Sequence, residues 1–244
     1  GADAKLIVSE LQEMGVKPIN IHSVISNDQN PLVTKSRIFQ AIADLRTRLE
    51  ELPEINGRRR AIVFVYFAGH GLGRIKDGEN YLIPSDFHVD VADDIPEFGI
   101  ALTGMLKRIA STKPLDIFTI VDACRDIPFK RLPTLDKKTE EFEGGLVNVN
   151  DERMPLAAIG PVTILFSTLK YMKSPDGTGA NSPFATALVT HLKSARNPAA
   201  ALRPRYADDL TKPIQASLVR YSPGQIPELR PASPYKLWLY PTKQ

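Results

Sequence analysis

One cysteine and one histidine in this chain occupy positions that suit nucleophilic catalysis. Cys124 is the only cysteine, and it ends the run LDIFTIVDAC; His70 stands between two glycines at the end of a second apolar run, AIVFVYFAGHG. A free thiol has a pKa of about 8.5, so little of it is ionised at neutral pH unless a neighbouring base assists. An imidazole beside the thiol can act as that base and then protonate a leaving group. The two residues therefore predict a nucleophile and its acid/base partner.

The two apolar runs are the elements that must bring these side chains together. Residues 61–71 and 115–129 each begin with a continuous Ile- and Val-rich stretch, which is typical of a strand buried on both faces of a parallel sheet. Open α/β sheets bind their ligands just beyond the carboxyl ends of such strands. We therefore expect Cys124 and His70 to lie at the same edge of one sheet.

The rest of the chain alternates between helical and extended patterns. This alternation predicts an α/β sandwich, with a mainly parallel central sheet and helices on both faces. Residues 56–60 read as a basic turn and residues 77–86 as a small hairpin and exit loop. Further strands are expected at 17–25, 161–168 and 235–240, and helices at 2–14, 31–50, 98–111, 181–194 and 207–221.

Composition sets broad limits on the function. A chain of 244 residues with 43% hydrophobic and 24% charged residues fits a single globular domain. The net charge of +3 gives no reason to expect a nucleic-acid partner, and one cysteine excludes an intrachain disulfide. No apolar run approaches the length of a membrane span. We expect a cytoplasmic protein without a membrane partner, although a sequence that does not begin with Met gives little information on targeting.

The order YFAGHG and then VDACRD resembles the caspase superfamily of cysteine peptidases. The match is closer to the metacaspase-like and bacterial (orthocaspase) branch than to animal caspases, and it extends over residues 2–240. His70 precedes Cys124 by 124 − 70 = 54 residues, close to the family's usual spacing. The resemblance implies that these two residues form the catalytic dyad. It also implies that the backbone N–H groups of Gly71 and Cys124 stabilise the oxyanion.

The same resemblance implies how the domain is divided. Residues 1–129 correspond to the large portion of a caspase, residues 130–160 to the linker and residues 161–244 to the small portion. The family also has a central strand before the first helix, and we expect the sheet of this chain to lack it.

The linker at residues 130–160 leaves two interpretations open. It is a long surface loop, or it is a processing loop that the enzyme itself cuts. In the second case the candidate cleavage sites are Arg131, Lys137, Lys138 and Arg153.

Three aspartates bear on substrate specificity. Asp122 lies two residues before Cys124, so strand geometry puts both side chains on the same side of the sheet. In metacaspase-like enzymes an aspartate here helps to bind a basic P1 residue, the residue just before the cut. By resemblance, Asp3 matches a second acidic pocket residue. Asp176 falls where animal caspases place an arginine that holds an acidic substrate.

Asp176 and Asp3 each also have a simpler explanation that involves no substrate. Asp176 sits in the sequence PDG and could serve only as a turn former. Asp3 could serve only as a helix-start residue that the macrodipole favours. Asp122 is harder to dismiss, because burying a carboxylate beside a strand end is costly without a reason.

One residue of this pocket departs from the metacaspase pattern. Metacaspases commonly carry a serine two residues before the catalytic histidine, whereas this chain has Ala68, which leaves the preference between Arg and Lys open.

We expect no metal or other cofactor. Calcium dependence, known in part of the family, is not favoured because the sequence has no dense acidic loop.

The sequence thus predicts a cysteine endopeptidase that cleaves protein or peptide substrates after Arg or Lys. Two alternatives remain. The first is a peptidase of the same fold that cleaves after Asp; the second is a non-catalytic caspase-like scaffold. Either a monomer or a dimer joined through the last strand, residues 235–240, is compatible with the sequence.

Overall fold

A computed structural model gives the structure of the chain. It describes residues 1–27, 31–74, 78–88, 94–124, 142–144, 159–168, 179–195, 207–222 and 224–230. The helices of this part are α1 (Ala2–Glu13), α2 (Lys35–Glu50), α3 (Ile95–Phe98), α4 (Leu102–Ala110), α5 (Pro183–Ala195) and α6 (Ala207–Tyr221). Its strands are β1 (Glu54–Ile55), β2 (Arg58–Arg74), β3 (Glu79–Ile83), β4 (Ile100–Ala101), β5 (Pro114–Cys124), β6 (Phe142–Gly144), β7 (Val162–Phe166) and β8 (Glu228–Arg230).

These strands form one mixed sheet with a parallel centre. The order is β4-β3-β2-β5-β7-β8, and β1 and β6 both pair with β2. Strand β2 runs parallel to β5, and β5 runs parallel to β7. The remaining pairs are antiparallel and lie towards the edges or ends. The predicted α/β architecture is confirmed.

Helices cover both faces of the sheet because its central strands are apolar on both sides. On one face, Ile42 of α2 and Leu106 of α4 pack against the sheet. On the other face, Ile7, Phe184 and Ile214 come from α1, α5 and α6 respectively. Two hydrophobic clusters therefore fix the central strands from opposite sides.

The predicted helices are found, with two adjustments at their starts. Helix α2 begins at Lys35 rather than at residue 31, because Thr34 is extended and its hydroxyl accepts a hydrogen bond from the N–H of Arg37 at 3.2 Å. The helix predicted at 98–111 begins only at Leu102. The preceding residues Ile100 and Ala101 pair with β3 as a short edge strand, which interrupts the helix.

The predicted strand at residues 17–25 is wrong. The structure has a single 3-10 turn, Pro18–Asn20, and no regular element from residue 21 to 27. Within the described residues, no strand pairs with this segment, since a cleft separates it from β2, and an unpaired strand cannot satisfy its backbone groups. The predicted basic turn is correct in its first half: Asn56 and Gly57 have φ angles of 53° and 77° and form a tight hairpin, whereas the arginines that follow belong to β2.

A cleft separates this irregular segment from β2. Residues 62–70 of β2 pair with β5, whereas pairing with β3 begins only at His70. On the β3 side, the described part of the chain offers residues 60–69 no strand partner. Two adjoining cavities of about 550 and 400 Å³ lie along this edge, and both are lined by residues of α1, the segment around His22 and β2.

Several predictions from the sequence lie outside the described residues. These are the last strand at 235–240 and all of the linker at 130–160 except residues 142–144 and 159–160. The proposed division of the domain at residues 129 and 160 remains a prediction. In the ranges given above, none of the helices has both the length and the apolar character that crossing a membrane requires.

We expect Phe118→Ala to lower the free energy of unfolding by about 3–5 kcal/mol, because it leaves a cavity in the cluster beneath α1 and α5. Phe118 is fully buried and its ring centroid lies 6.0 Å from that of Phe64. Denaturant unfolding followed by circular dichroism would measure the change. The control is Leu115→Ala in the same strand, since Leu115 is 46% exposed and its loss should cost about 0.5 kcal/mol or less. Equal effects of the two changes would contradict this account of the core.

Candidate active site

The two residues proposed for catalysis are neighbours across the centre of the sheet. Nine consecutive residues of β2, from Ile62 to His70, pair in parallel with β5, and the final pair is His70 with Cys124. His70 is exposed. Because both strands are parallel and in register, the backbone places the histidine and the cysteine side by side where β5 ends; β2 does not end there but continues to Arg74. This is the arrangement that the spacing of the two motifs predicts.

A second group of polar residues lies on the sheet face that α1 and α5 cover. Phe64 and Tyr66 of β2 pack against the cluster on that face, and so does Phe118 of β5. Alternation along a strand puts Asp122, four residues after Phe118, on the same face. The carboxylate thus lies close to the end of the strand and beneath the starts of α1 and α5.

Asp122 is almost completely buried and well supplied with donors. It is 6% exposed. Its Oδ2 accepts hydrogen bonds from the Tyr66 hydroxyl at 3.1 Å and from the Ser182 hydroxyl at 2.6 Å. The Ser167 hydroxyl also donates to this carboxyl group. These bonds offset part of the cost of burying a charged group.

Burial dominates the ionisation of Asp122. It raises the pKa of this carboxyl to about 6, and the neighbouring Asp3 adds to the increase, whereas the hydroxyls of Ser182, Ser167 and Tyr66 act in the opposite direction. Burial and the charge of Asp122 also raise the pKa of Tyr66 above its ordinary value. The raised pKa keeps Tyr66 protonated at neutral pH, so its hydroxyl can donate to Asp122.

Asp3, in the first turn of α1, lies close to Asp122 and shares Ser182 with it as a hydrogen-bond donor. Its Oδ1 accepts hydrogen bonds from the Asn181 side-chain amide at 3.0 Å and from the backbone N–H of Ser182 at 2.8 Å. Ser182 consequently contacts both carboxylates, Asp3 through its backbone and Asp122 through its hydroxyl. Asp3 occupies a helix start, as the simpler explanation requires, but these contacts also link it through Ser182 to Asp122.

The structure places the other predicted residues as follows. Gly71, the predicted oxyanion donor, is buried and lies opposite Leu82 of β3. Ala68 lies directly across from Asp122 in the β2–β5 register. Asp176 lies outside the described residues, so its predicted role in the pocket remains a prediction.

Sequence reasoning did not identify three of the residues that surround Asp122. The sequence offers Asn181 or Ser182 as the N-cap of α5, and in the structure the Ser182 hydroxyl accepts a hydrogen bond from the N–H of Ala185 at 3.0 Å. Tyr66 and Ser167 were not singled out. The only available signal was the alternation of β2, which puts Tyr66, Ala68 and His70 on one face.

Comparison with known proteins identifies the family of the chain. A family model described as a caspase domain matches residues 1–236. The chain therefore belongs to the caspase-domain family. It is also similar to a probable protease from a Desulfuromonadales bacterium, with 31% identity over 169 residues. That match covers 67% of this chain but only 18% of the relative, so this chain corresponds to a small part of the longer protein.

The raised pKa of Asp122 predicts how stability depends on pH. The folded value of about 6 lies above the ordinary value of about 4, so the folded state holds this proton more tightly than the unfolded state does. The stabilisation is complete below pH 4 and is lost as the pH rises through 6. Relative to Asp122→Asn, the wild type should lose about 2–3 kcal/mol of unfolding free energy between pH 4 and 7.

Denaturant unfolding of both proteins at several pH values would test this. The informative quantity is the difference between the two curves, because other titrating groups contribute equally to both. A difference that stays constant from pH 4 to 7 would show that the Asp122 pKa is not raised.

Proposed function

We propose that this chain is a metacaspase-like cysteine endopeptidase that cleaves after a basic P1 residue, arginine or lysine. The observation that carries the proposal is the pairing of His70 with Cys124, the last pair of the parallel pairing between β2 and β5. Membership of the caspase-domain family supports the same chemistry. The preference for a basic residue rests on the acidic group formed by Asp3 and Asp122.

In the proposed reaction, Cys124 attacks the carbonyl carbon of the scissile peptide bond. His70 takes the thiol proton and delivers it to the leaving amine, which leaves a thioester between Cys124 and the acyl part of the substrate. Water then attacks the thioester, and the thiol is restored as the carboxylic acid departs. Backbone N–H groups, assigned to Gly71 and Cys124 by resemblance, would stabilise the negative oxygen of each tetrahedral intermediate.

The acidic group supports recognition of a cation. Asp3 and Asp122 both lie within hydrogen-bond distance of Ser182, and strand alternation puts Asp122 and His70 on the same side of the sheet. Two carboxylates this close repel each other and an acidic ligand, and they attract a positive one. A guanidinium presents five donors in a planar fork and can bond two carboxylate oxygens at once, so arginine should bind better than lysine.

The two carboxylates differ in how a substrate could reach them. Asp3 is partly exposed, whereas Asp122 is almost fully buried. An entering side chain would therefore meet Asp3 first and Asp122 at greater depth. We assign Asp3 to the rim and Asp122 to the base of the P1 pocket.

The alternative functions make different demands on the same residues. Cleavage after Asp would require a positive group in the pocket, opposite in sign to Asp3 and Asp122. A scaffold without catalysis would have no use for His70 beside Cys124. Neither alternative gains support from a described contact.

Peptide hydrolysis tests the proposal. We expect matched fluorogenic peptides to be cleaved fastest with Arg at P1, more slowly with Lys, and not measurably with Asp, and we expect calcium to be unnecessary. The activity should disappear in Cys124→Ala, because no other cysteine is present, and should fall by at least about 100-fold in His70→Ala. Assays with added calcium and with a chelator would test the metal requirement.

The outcomes separate the parts of the proposal. Cleavage after Asp alone would leave the dyad in place and refute the acidic pocket. Activity that survives in Cys124→Ala would refute the dyad. A matched specificity control is Asp122→Asn, which should raise the KM of the Arg peptide much more than that of a peptide with a neutral P1 residue.

A basic specificity also predicts self-cleavage within residues 130–160. Incubation of the purified wild type should yield fragments that end at Arg131, Lys137, Lys138 or Arg153, as measured by mass spectrometry of the intact protein. Cys124→Ala should stay whole under the same conditions. Fragments that end at other residue types would argue against the specificity, and an intact wild type that cleaves peptides would show that the linker is a simple surface loop.

A further inference from the structure

We propose that Ser182 and Tyr66 are positioning residues that hold Asp3 and Asp122 as one oriented acidic pair and thereby favour arginine over lysine at P1. This inference rests on the proposed function, because it concerns the pocket of the same reaction. Neither residue is expected to take part in bond making or breaking.

Ser182 joins three parts of the fold through short hydrogen bonds. Its backbone N–H donates to Asp3, its hydroxyl donates to Asp122, and the same hydroxyl oxygen accepts from the N–H of Ala185. The start of α5, the start of α1 and the end of β5 are therefore tied at one residue. Phe184, fully buried nearby in α5, anchors the helix in the core and so fixes the position of Ser182.

Tyr66 supports Asp122 from the neighbouring strand. Its hydroxyl donates to Oδ2, the same oxygen that Ser182 contacts, and its ring packs against the cluster below α1 and α5. Two donors that converge on one oxygen restrict rotation of the carboxylate. The aromatic ring is rigid and packed, so the hydroxyl itself has little freedom.

A fixed orientation of the two carboxylates matters more for binding arginine than for binding lysine. Arginine bonds through a planar fork whose donors must meet carboxylate oxygens at defined positions. Lysine carries a compact charge on a flexible stem and tolerates a displaced carboxylate. Loss of the positioning contacts should therefore reduce recognition of arginine more than recognition of lysine.

The same contacts help to keep the pair charged. Among the described side chains, the titratable groups that contact Asp122 or add to its raised pKa are Asp3 and Tyr66; Ser182 and Ser167 contribute neutral hydroxyls. Removing a donor that stabilises the carboxylate raises its pKa further. The acid limb of the pH profile for cleavage after Arg should then move to higher pH.

Three variants and one control test the inference. Tyr66→Phe removes the hydroxyl and keeps the ring. Ser182→Ala removes both the bond to Asp122 and the cap of α5, whereas Ser182→Thr retains a hydroxyl. The matched control is Thr34→Ala, which removes the cap of α2 on the opposite face of the sheet and reports the effect of losing a helix cap alone.

We expect Tyr66→Phe and Ser182→Ala each to raise the KM of an Arg peptide by about 10- to 100-fold, with a smaller fall in kcat, since this is the range that one hydrogen bond to a charged group contributes. The ratio of kcat/KM for Arg over Lys should fall, and the acid limb should shift upward. Ser182→Thr should restore most of the wild-type ratio, and Thr34→Ala should leave it unchanged.

Carbon-13 NMR titration of the Asp122 carboxyl provides a measurement that does not depend on turnover. The Asp122 pKa should be higher in Tyr66→Phe than in the wild type. An unchanged Asp122 pKa together with an unchanged Arg/Lys ratio would overturn the inference while leaving the proposed function intact. A wild type that cleaves only after Asp would instead refute the proposed function, and this inference with it.

Discussion

The parallel register between β2 and β5 is the constraint on which the rest of the site depends. The register places His70 opposite Cys124 and Ala68 opposite Asp122. A slip of one residue would turn every side chain of one strand to the opposite face and would separate the proposed dyad. The two hydrophobic clusters prevent such a slip, because each accepts only the residues that now face it. Catalytic geometry and core packing are therefore set by the same pairing.

Local sequence signals were sufficient for the elements whose pattern lies within the segment itself, but not for those that depend on pairing with a distant segment. Buried strands such as β5 are evident from a continuous apolar run, and α6 from its periodicity, because those signals lie within the segment itself. The failure at residues 17–25 has a different origin. That segment has the composition of a strand, but a strand exists only where another chain segment completes its hydrogen bonds. The short strand β4 was missed for the converse reason, since pairing with β3 overrides a helical pattern.

The acidic site shows the same division between local and distant information. Asp122 was found from its spacing to Cys124, because two residues of one strand share a face. Tyr66 and Ser182 were missed because they meet Asp122 across 56 and 60 residues of sequence. Ala68 stands where the resemblance to metacaspases leads us to expect a serine hydroxyl. In the structure, Tyr66, two residues earlier in β2, donates its hydroxyl to Asp122. A comparison of sequence motifs alone shows the missing serine hydroxyl at position 68 but not the hydroxyl of Tyr66 that contacts Asp122.

The open edge of β2, close to His70, is a possible site of self-association. Sheet edges with unpaired N–H and C=O groups act as templates for other extended chains, and proteins usually shield them. Among the residues that the structure describes, none pairs with this edge on the β3 side along residues 60–69, which lead to exposed His70, and the apolar side chain of Ile62 is exposed there. An extended segment added there would lie alongside the proposed dyad. Self-association through this edge and access to the histidine would then compete for the same surface, so the amount of free catalytic surface would fall as protein concentration rises.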